Sequence, residues 1–132
     1  MRLSKTTSYT IHALVYMARQ QDDQPLASHV AAREQGLPAV YLARGFQLLV
    51  AVGILKSVQG PNGGYRLAKA PKDITLLEII EAVDGPIQSQ GVFEEGSRST
   101  LGKKLQAVCD QVNEEARRQL GKVRLSDLAG KA

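Results

Sequence analysis

Residues 54–69 read ILKSVQGPNGGYRLAK, and no other part of the chain leaves so few conformations open. "ILKSVQ" carries β-branched Ile54 and Val58 with alternating side chains, the pattern of a half-buried strand. "YRLAK" reads as a second strand, and between them four of the five residues in "GPNGG" are Gly or Pro. Asn62-Gly63 is a strong hairpin signal because both residues tolerate positive φ. So much backbone freedom has two uses. It makes a plain surface turn, or it lets another group approach the backbone closely.

What precedes the hairpin narrows the choice. From Ser4 to about Gln21, the apolar residues Tyr9, Ala13, Leu14, Met17 and Ala18 fall at helical spacing, with Ser4 as N-cap. "QDDQP" breaks the chain, and a short helix over about residues 27–34 ends at Gln35-Gly36, where Gly36 supplies a left-handed exit. Pro38 then suits the first turn of another helix, "PAVYLARGFQLLVAVG", which buries Leu42, Phe46, Leu49 and Val50 until Gly53 stops it. Two helices at a tight glycine corner outline a helix-turn-helix, whose second member enters a major groove. A hairpin directly after it makes a winged helix. Glycines at the wing tip would let backbone N–H groups near phosphates, with Lys56, Arg66 and Lys69 on the flanking strands. A phosphate-binding P-loop does not fit, since no Gly-Lys-Ser/Thr ending or helix follows.

Beyond the break at "APKD", Thr75 and Glu78 have capping-box spacing, and Ile79, Ile80 and Val83 form the apolar face of a helix ended by Gly85-Pro86. Residues 87–100 are polar, Gly-containing and without period, a loop. Then Leu101, Leu105, Val108, Val112, Ala116 and Leu120 recur at steps of four, three, four, four and four, a narrow stripe on a long helix. Such a stripe packs internally or forms half of a dimer seam. The seam is favoured because helix-turn-helix readers bind as symmetric pairs. The expected architecture is mainly α with a small β-hairpin: a winged helix-turn-helix domain over 1–86, a loop over 87–100, and a dimerisation helix with a C-terminal tail over 101–132.

Composition limits the function classes. A chain of 132 residues makes about one domain. No apolar run approaches the ~20 residues that span a bilayer, and the start, "MRLSKTTSYT", lacks the apolar stretch of a secretory signal. One cysteine, Cys109, cannot form an internal disulfide, which points to a reducing cytoplasm. Residues 1–72 hold nine Lys/Arg against three Asp/Glu, net +6, while 73–132 hold eight against ten, net −2. A basic front half fits a polyanion. Two histidines and one cysteine form no nucleophile–base spacing, so no enzyme is expected.

"MRLS", Tyr9, "GLPAVYL", "VGILKSVQGPNGGYRL" and "ITLLEIIEAVDGP" together resemble the Rrf-two family of winged-helix transcription regulators, the family of the iron–sulfur sensors IscR and NsrR. The resemblance implies a homodimeric regulator, a repressor by expectation, that binds a palindromic DNA operator, with the long helix crossing to the partner. It places the DNA surface on Pro38, Ala39, Val40, Tyr41, Arg44 and Gln47, and on wing residues Gln59, Gly60, Asn62 and Gly63. Arg44 and Gln47 lie one turn apart and suit guanine and adenine. Arg2 and Lys5 add charge toward phosphates. Tyr41 has two readings, a hydroxyl donated to phosphate or a ring packed on the first helix.

Two departures stand out. Several family members have arginine where this chain has Gln59, which lacks the charge that suits a narrow minor groove. Cluster-binding members carry three cysteines before the long helix, where this chain has Gly91, Ser97 and Lys103. Clusters are held by thiolates, so no cluster or other cofactor is expected. Cys109 and His12 are residual candidates for a redox or ligand role, against plainer readings as a small buried group and an interface histidine. An unidentified effector or a modulating protein then remains as the signal. A second reading from another class is a winged-helix protein-interaction module controlled by a partner enzyme.

Overall fold

The computed structural model describes residues 2–20, 24–88 and 100–130. Helix α1 (Lys5–Arg19) starts at the expected cap, where Ser4 Oγ accepts a hydrogen bond from the Thr7 amide at 3.1 Å. Helix α2 (Ser28–Gln35) ends on Gly36, which takes the left-handed conformation at φ 65°. Helix α3 (Ala39–Ala51) follows with Pro38 as its N-cap in extended conformation, one residue outside the helical turn expected for it. Leu42, Phe46 and Leu49 are buried as expected, whereas Val50 is only half-buried. The core joins these to Ala13 and Leu14 of α1 and Ala31 and Ala32 of α2. Helices α1 and α3 meet closely at Gly45: a Cβ added there would stand 1.9 Å from Thr10 Oγ1.

The hairpin forms with strands β1 (Leu55–Val58) and β2 (Gly64–Leu67), Leu55 opposite Leu67 and Val58 opposite Gly64. Its turn differs from the Asn-Gly type read from sequence. The Gly63 amide bonds to the Gly60 carbonyl at 3.0 Å, so Pro61 and Asn62 are the central pair. Among the described residues no non-glycine has positive φ, and Gly60 takes φ 108° instead of Asn62. The physical reason is Pro61, whose fixed φ suits the first central position of an ordinary β-turn.

The glycine density has an internal cause. A Cβ on Gly63 would meet the Val58 carbonyl oxygen at 2.1 Å, and one on Gly64 would meet the Leu26 carbonyl carbon at 2.5 Å. Leu26 lies beside β2 as a one-residue third strand, exchanging two backbone hydrogen bonds of 2.9 Å with Tyr65. The freedom at "GG" serves the chain's own backbone.

Helix α4 (Leu76–Asp84) is capped by Thr75, whose Oγ1 accepts from the Glu78 amide at 3.0 Å. The Glu78 carboxylate instead takes Lys69 Nζ at 3.0 Å, so among the described residues only half of the expected box forms. Ile79 and Ile80 are buried, and Val83 is half-buried. Of the expected loop over 87–100, residues 89–99 lie outside the described residues.

Helix α5 (Thr100–Gly121) is the expected long helix. The following segment is not a loose tail. Leu125–Ala129 forms a short helix, α6, with Leu125 fully buried and Ala129 nearly so. The Leu76 amide bonds to the Val123 carbonyl and the Leu125 amide to the Ile74 carbonyl, both at 2.8 Å. At α6's far end, Arg19 Nε donates to the Ala129 carbonyl at 2.9 Å. The chain therefore returns to the domain it left at residue 86.

Candidate nucleic-acid interface

Helix α3 separates two faces by its period. Leu42, Phe46 and Leu49 point inward, which places Val40, Arg44 and Gln47 together on the outer face, all three exposed. Val40 is 73% exposed. Pro38 and Ala39 are also exposed, and no side chain caps the helix start. The unfilled N–H groups of that first turn carry partial positive charge.

Exposed cations without an ion pair among the described residues occur in both halves of the chain, Lys103, Lys104 and Lys122 of α5 among them. Arg2, Lys5, Arg44 and Lys56 are exposed and make no ion pair among the described residues. By contrast Arg117 is paired with Glu81, and Arg118 with Glu115 at 2.5 Å. Burial aside, Glu115 is held below the usual carboxylate range chiefly by hydrogen bonds from Arg118 and then Gln119. Lys69, expected near phosphates, is engaged by Glu78, and Arg66 is half-buried with its Nε covered. Lys69 stays at the surface but is paired, and Arg66 is only partly accessible.

The wing is braced against the helix it flanks. Tyr65 meets Phe46 edge-on with ring centroids 5.1 Å apart, joining β2 to the buried face of α3. Tyr41 packs on Tyr9 of α1 at 5.4 Å, so its ring takes the packing role, while its hydroxyl makes no hydrogen bond among the described residues. At the tip Gln59, Gly60 and Asn62 are exposed, and Gly63 is half-buried with its amide used within the turn. Packing of Tyr41 on the first helix was one of its two sequence readings, whereas the Tyr65–Phe46 contact was not singled out. The one hint was that Tyr65 opens a strand after two glycines.

The start of α1 is tied to the end of α4. Burial pushes the Asp84 carboxyl up, but hydrogen bonds from Ser4 and Thr7 outweigh it and hold the group below its ordinary value. The Ser4 amide donates to Asp84 Oδ2 at 3.2 Å. Arg117 binds Glu81 Oε2, which also accepts from the Ile87 amide at 3.0 Å, docking α5 on α4.

The α5 stripe is divided. Leu101, Leu105, Val108 and Val112 are 66%, 39%, 57% and 62% exposed, whereas Ala116 and Leu120 are half-buried. Cys109 is half-buried on the same helix. His12 is exposed on α1, its Nδ1 2.7 Å from the Ser8 carbonyl oxygen. Among the described residues no three His, Cys, Asp or Glu come together in a way that could hold a metal ion. No helix among them is long and apolar enough to cross a membrane.

Comparison with known proteins shows what the chain and its fold are similar to. Residues 3–131 match the model of a family described as Rrf2, iron-dependent transcriptional regulator. The chain is 28% identical over 124 residues to a Rhodobacter capsulatus protein named as an rrf2-like HTH-type transcriptional regulator, covering 92% of this chain and 77% of that one. It is 34% identical over 89 residues to the transcriptional regulator IscR of Photobacterium profundum, spanning 67% of this chain and about half, 52%, of that protein. Its fold is similar to that of CymR, the global cysteine regulator of B. subtilis, with a TM-score of 0.79 and 25% identity over 98% of this chain and 96% of that one. IscR of T. potens superposes with a TM-score of 0.71 at 26% identity, covering 97% and 85%.

Proposed function

The chain belongs to the Rrf2 family of DNA-binding transcriptional regulators, and from that premise we propose that it works as a homodimeric repressor on a palindromic operator. The observation that carries the dimer is the stripe of Leu101, Leu105, Val108 and Val112, four exposed aliphatics in register on one helix. A second copy of α5 is the matching surface, and covering each side chain fully contributes ~1.5–3 kcal/mol. Two α3 helices then face half-sites ~34 Å apart, which is why the operator is read as a palindrome. Arg44 and Gln47 contact bases, with Val40 available to a thymine methyl. The α3 start, Tyr41, Arg2 and Lys5 meet phosphates, and Gln59, Gly60, Asn62 and Gly63 carry the wing contact. A protein seated across two half-sites excludes others from that duplex, the simplest route to repression. The place of action is the cytoplasm.

The family description speaks of iron, but the donor set here does not fit a thiolate-held cluster. The whole chain has one cysteine, and two copies would bring two. We therefore read this protein as one that responds to another signal. Protein purified without oxygen is expected to be colourless and iron-free; a visible absorption band would contradict this.

The test of the main reading is Val108→Glu, which puts a charge in the seam without touching α3. By sedimentation the variant is expected to be monomeric, and its affinity for a duplex selected by the wild type falls at least tenfold. Wild-type binding should weaken steeply with salt. A monomeric wild type, or salt-insensitive association with protein alone, would refute it.

A further inference from the structure

The tip of the wing is uncharged. Residues 59–63 read QGPNG, and the cations of the flanking strands stand back from them. Lys56 lies two residues before Val58, whose pairing with Gly64 closes the ladder, so it sits about 7 Å down the strand. Lys69 is held by Glu78, and Arg66 is only partly accessible. The backbone offers little in exchange, since Pro61 has no N–H and the Gly63 amide bonds to the Gly60 carbonyl inside the turn. What remains at the surface is two carboxamides. Gln59 and Asn62 are exposed and make no hydrogen bond among the described residues. Pro61 and the Gly60–Gly63 bond fix the turn that carries Asn62, so its side chain is presented from a stiff support.

This chemistry selects what the tip reads. The narrow minor groove of an A-tract attracts cations, and an uncharged tip gains nothing from that potential. A primary carboxamide instead places a donor and an acceptor side by side. In the minor groove an A·T pair shows acceptors alone, whereas a G·C pair adds the guanine N2 amino donor. A carboxamide therefore makes two bonds with guanine, its oxygen accepting from N2 and its nitrogen donating to N3. With adenine or thymine it makes only one.

We propose that Asn62, with Gln59 as the second carboxamide, reads a guanine in the minor groove beside each site that α3 occupies. The inference rests on the operator binding proposed above and names the base that the wing selects. Because neither side chain is charged, the contact displaces no counterion and adds specificity without salt dependence.

The test uses the full-length protein and the duplex that the wild type selects from random sequences. Each guanine is replaced singly by inosine, which lacks the N2 amino group but keeps the O6 and N7 that face the major groove. At a position where this matters, A·T and then 2,6-diaminopurine·T are substituted, the second restoring an amino group to the minor groove. The expected result is at least one guanine per half-site whose inosine form binds about fivefold more weakly or worse, the low end for a bidentate base contact. Diaminopurine·T should recover most of the affinity that A·T loses there. Asn62→Ala should erase most of the guanine–inosine difference and the double variant with Gln59→Ala all of it, with the salt slope unchanged in both. Should either variant fail to fold, the wild-type inosine and diaminopurine series decides alone.

The proposal is overturned if no inosine weakens binding, or if diaminopurine·T binds no better than A·T. It is also overturned if the folded double variant still distinguishes guanine from inosine. Failure to select any duplex would overturn the operator reading, and this one with it.

Discussion

Gly45→Ala separates local propensity from packing because the two predict opposite signs. Within a helix interior, alanine is favoured over glycine by ~1 kcal/mol, so α3 alone should gain stability. The structure places the new Cβ 1.9 Å from Thr10 Oγ1, 3.0 Å from its Cβ and 3.2 Å from its Cγ2. Thr10 is fully buried, and its branched side chain has few rotamers to retreat into, so α1 and α3 must separate. Overpacking of this kind costs ~1–3 kcal/mol, and the shortest contact puts it at the upper end. After the propensity offset, the net loss is about 2 kcal/mol. Thr10→Ala should be nearly neutral, within ~1 kcal/mol, because its Oγ1 has no hydrogen-bond partner to lose. The double variant removes the 1.9 Å contact and should recover ~1–2 kcal/mol, a coupling that additive effects cannot give. The assay is urea unfolding of all four proteins at one protomer concentration, since association raises apparent stability. A Gly45→Ala protein as stable as wild type, or a strictly additive cycle, would show that the helices do not meet as closely as described.

Gly64→Ala sets a Cβ against the Leu26 backbone and should cost ~3 kcal/mol or more; amide exchange at Leu26 and Tyr65 should accelerate first, and unchanged protection there would contradict the bridge. Arg44→Ala and Gln47→Ala should each lose ~1–3 kcal/mol of discrimination at one operator position in a binding selection. Lys56→Ala should instead weaken all duplexes alike and lower the salt slope by about 1, and a sequence-selective loss would reverse its role. Asp84→Asn should be less stable than wild type at neutral pH. The folded carboxyl titrates below 3.8, so its stabilisation is whole above that value and disappears as pH falls through the lower folded value. Urea midpoints that differ as much in strong acid as at neutrality would refute the Ser4–Asp84 tie.

Much of the head was legible because its signals are local. Ser4, Gly36 and Thr75 act on backbone groups within three or four residues, and the period of α3 sorts Leu42, Phe46 and Leu49 from Arg44 and Gln47 without any tertiary knowledge. The wing was legible as a hairpin, but its turn was not. Asn62-Gly63 and Pro61-Asn62 are overlapping signals, and Pro61 decides between them by taking the first central position, with the Val58 carbonyl crowding Gly63. Long-range pairings left no trace in the pattern. Glu81 and Arg117 are separated by 36 positions, and Lys69 reads as a free cation until Glu78 folds beside it. Helix α6 was missed because five residues with two buried apolar groups carry no measurable period.

The return of the chain after α5 has a mechanical consequence. Backbone bonds from Val123 and Leu125 clamp the far end of the long helix to the entry of α4, and Arg117 pins its flank to Glu81. Among the described residues, the far end of that helix is therefore bonded to the domain that carries α3. In a dimer joined through α5, any torque one subunit exerts on the other arrives at the duplex as rotation of a whole rigid body.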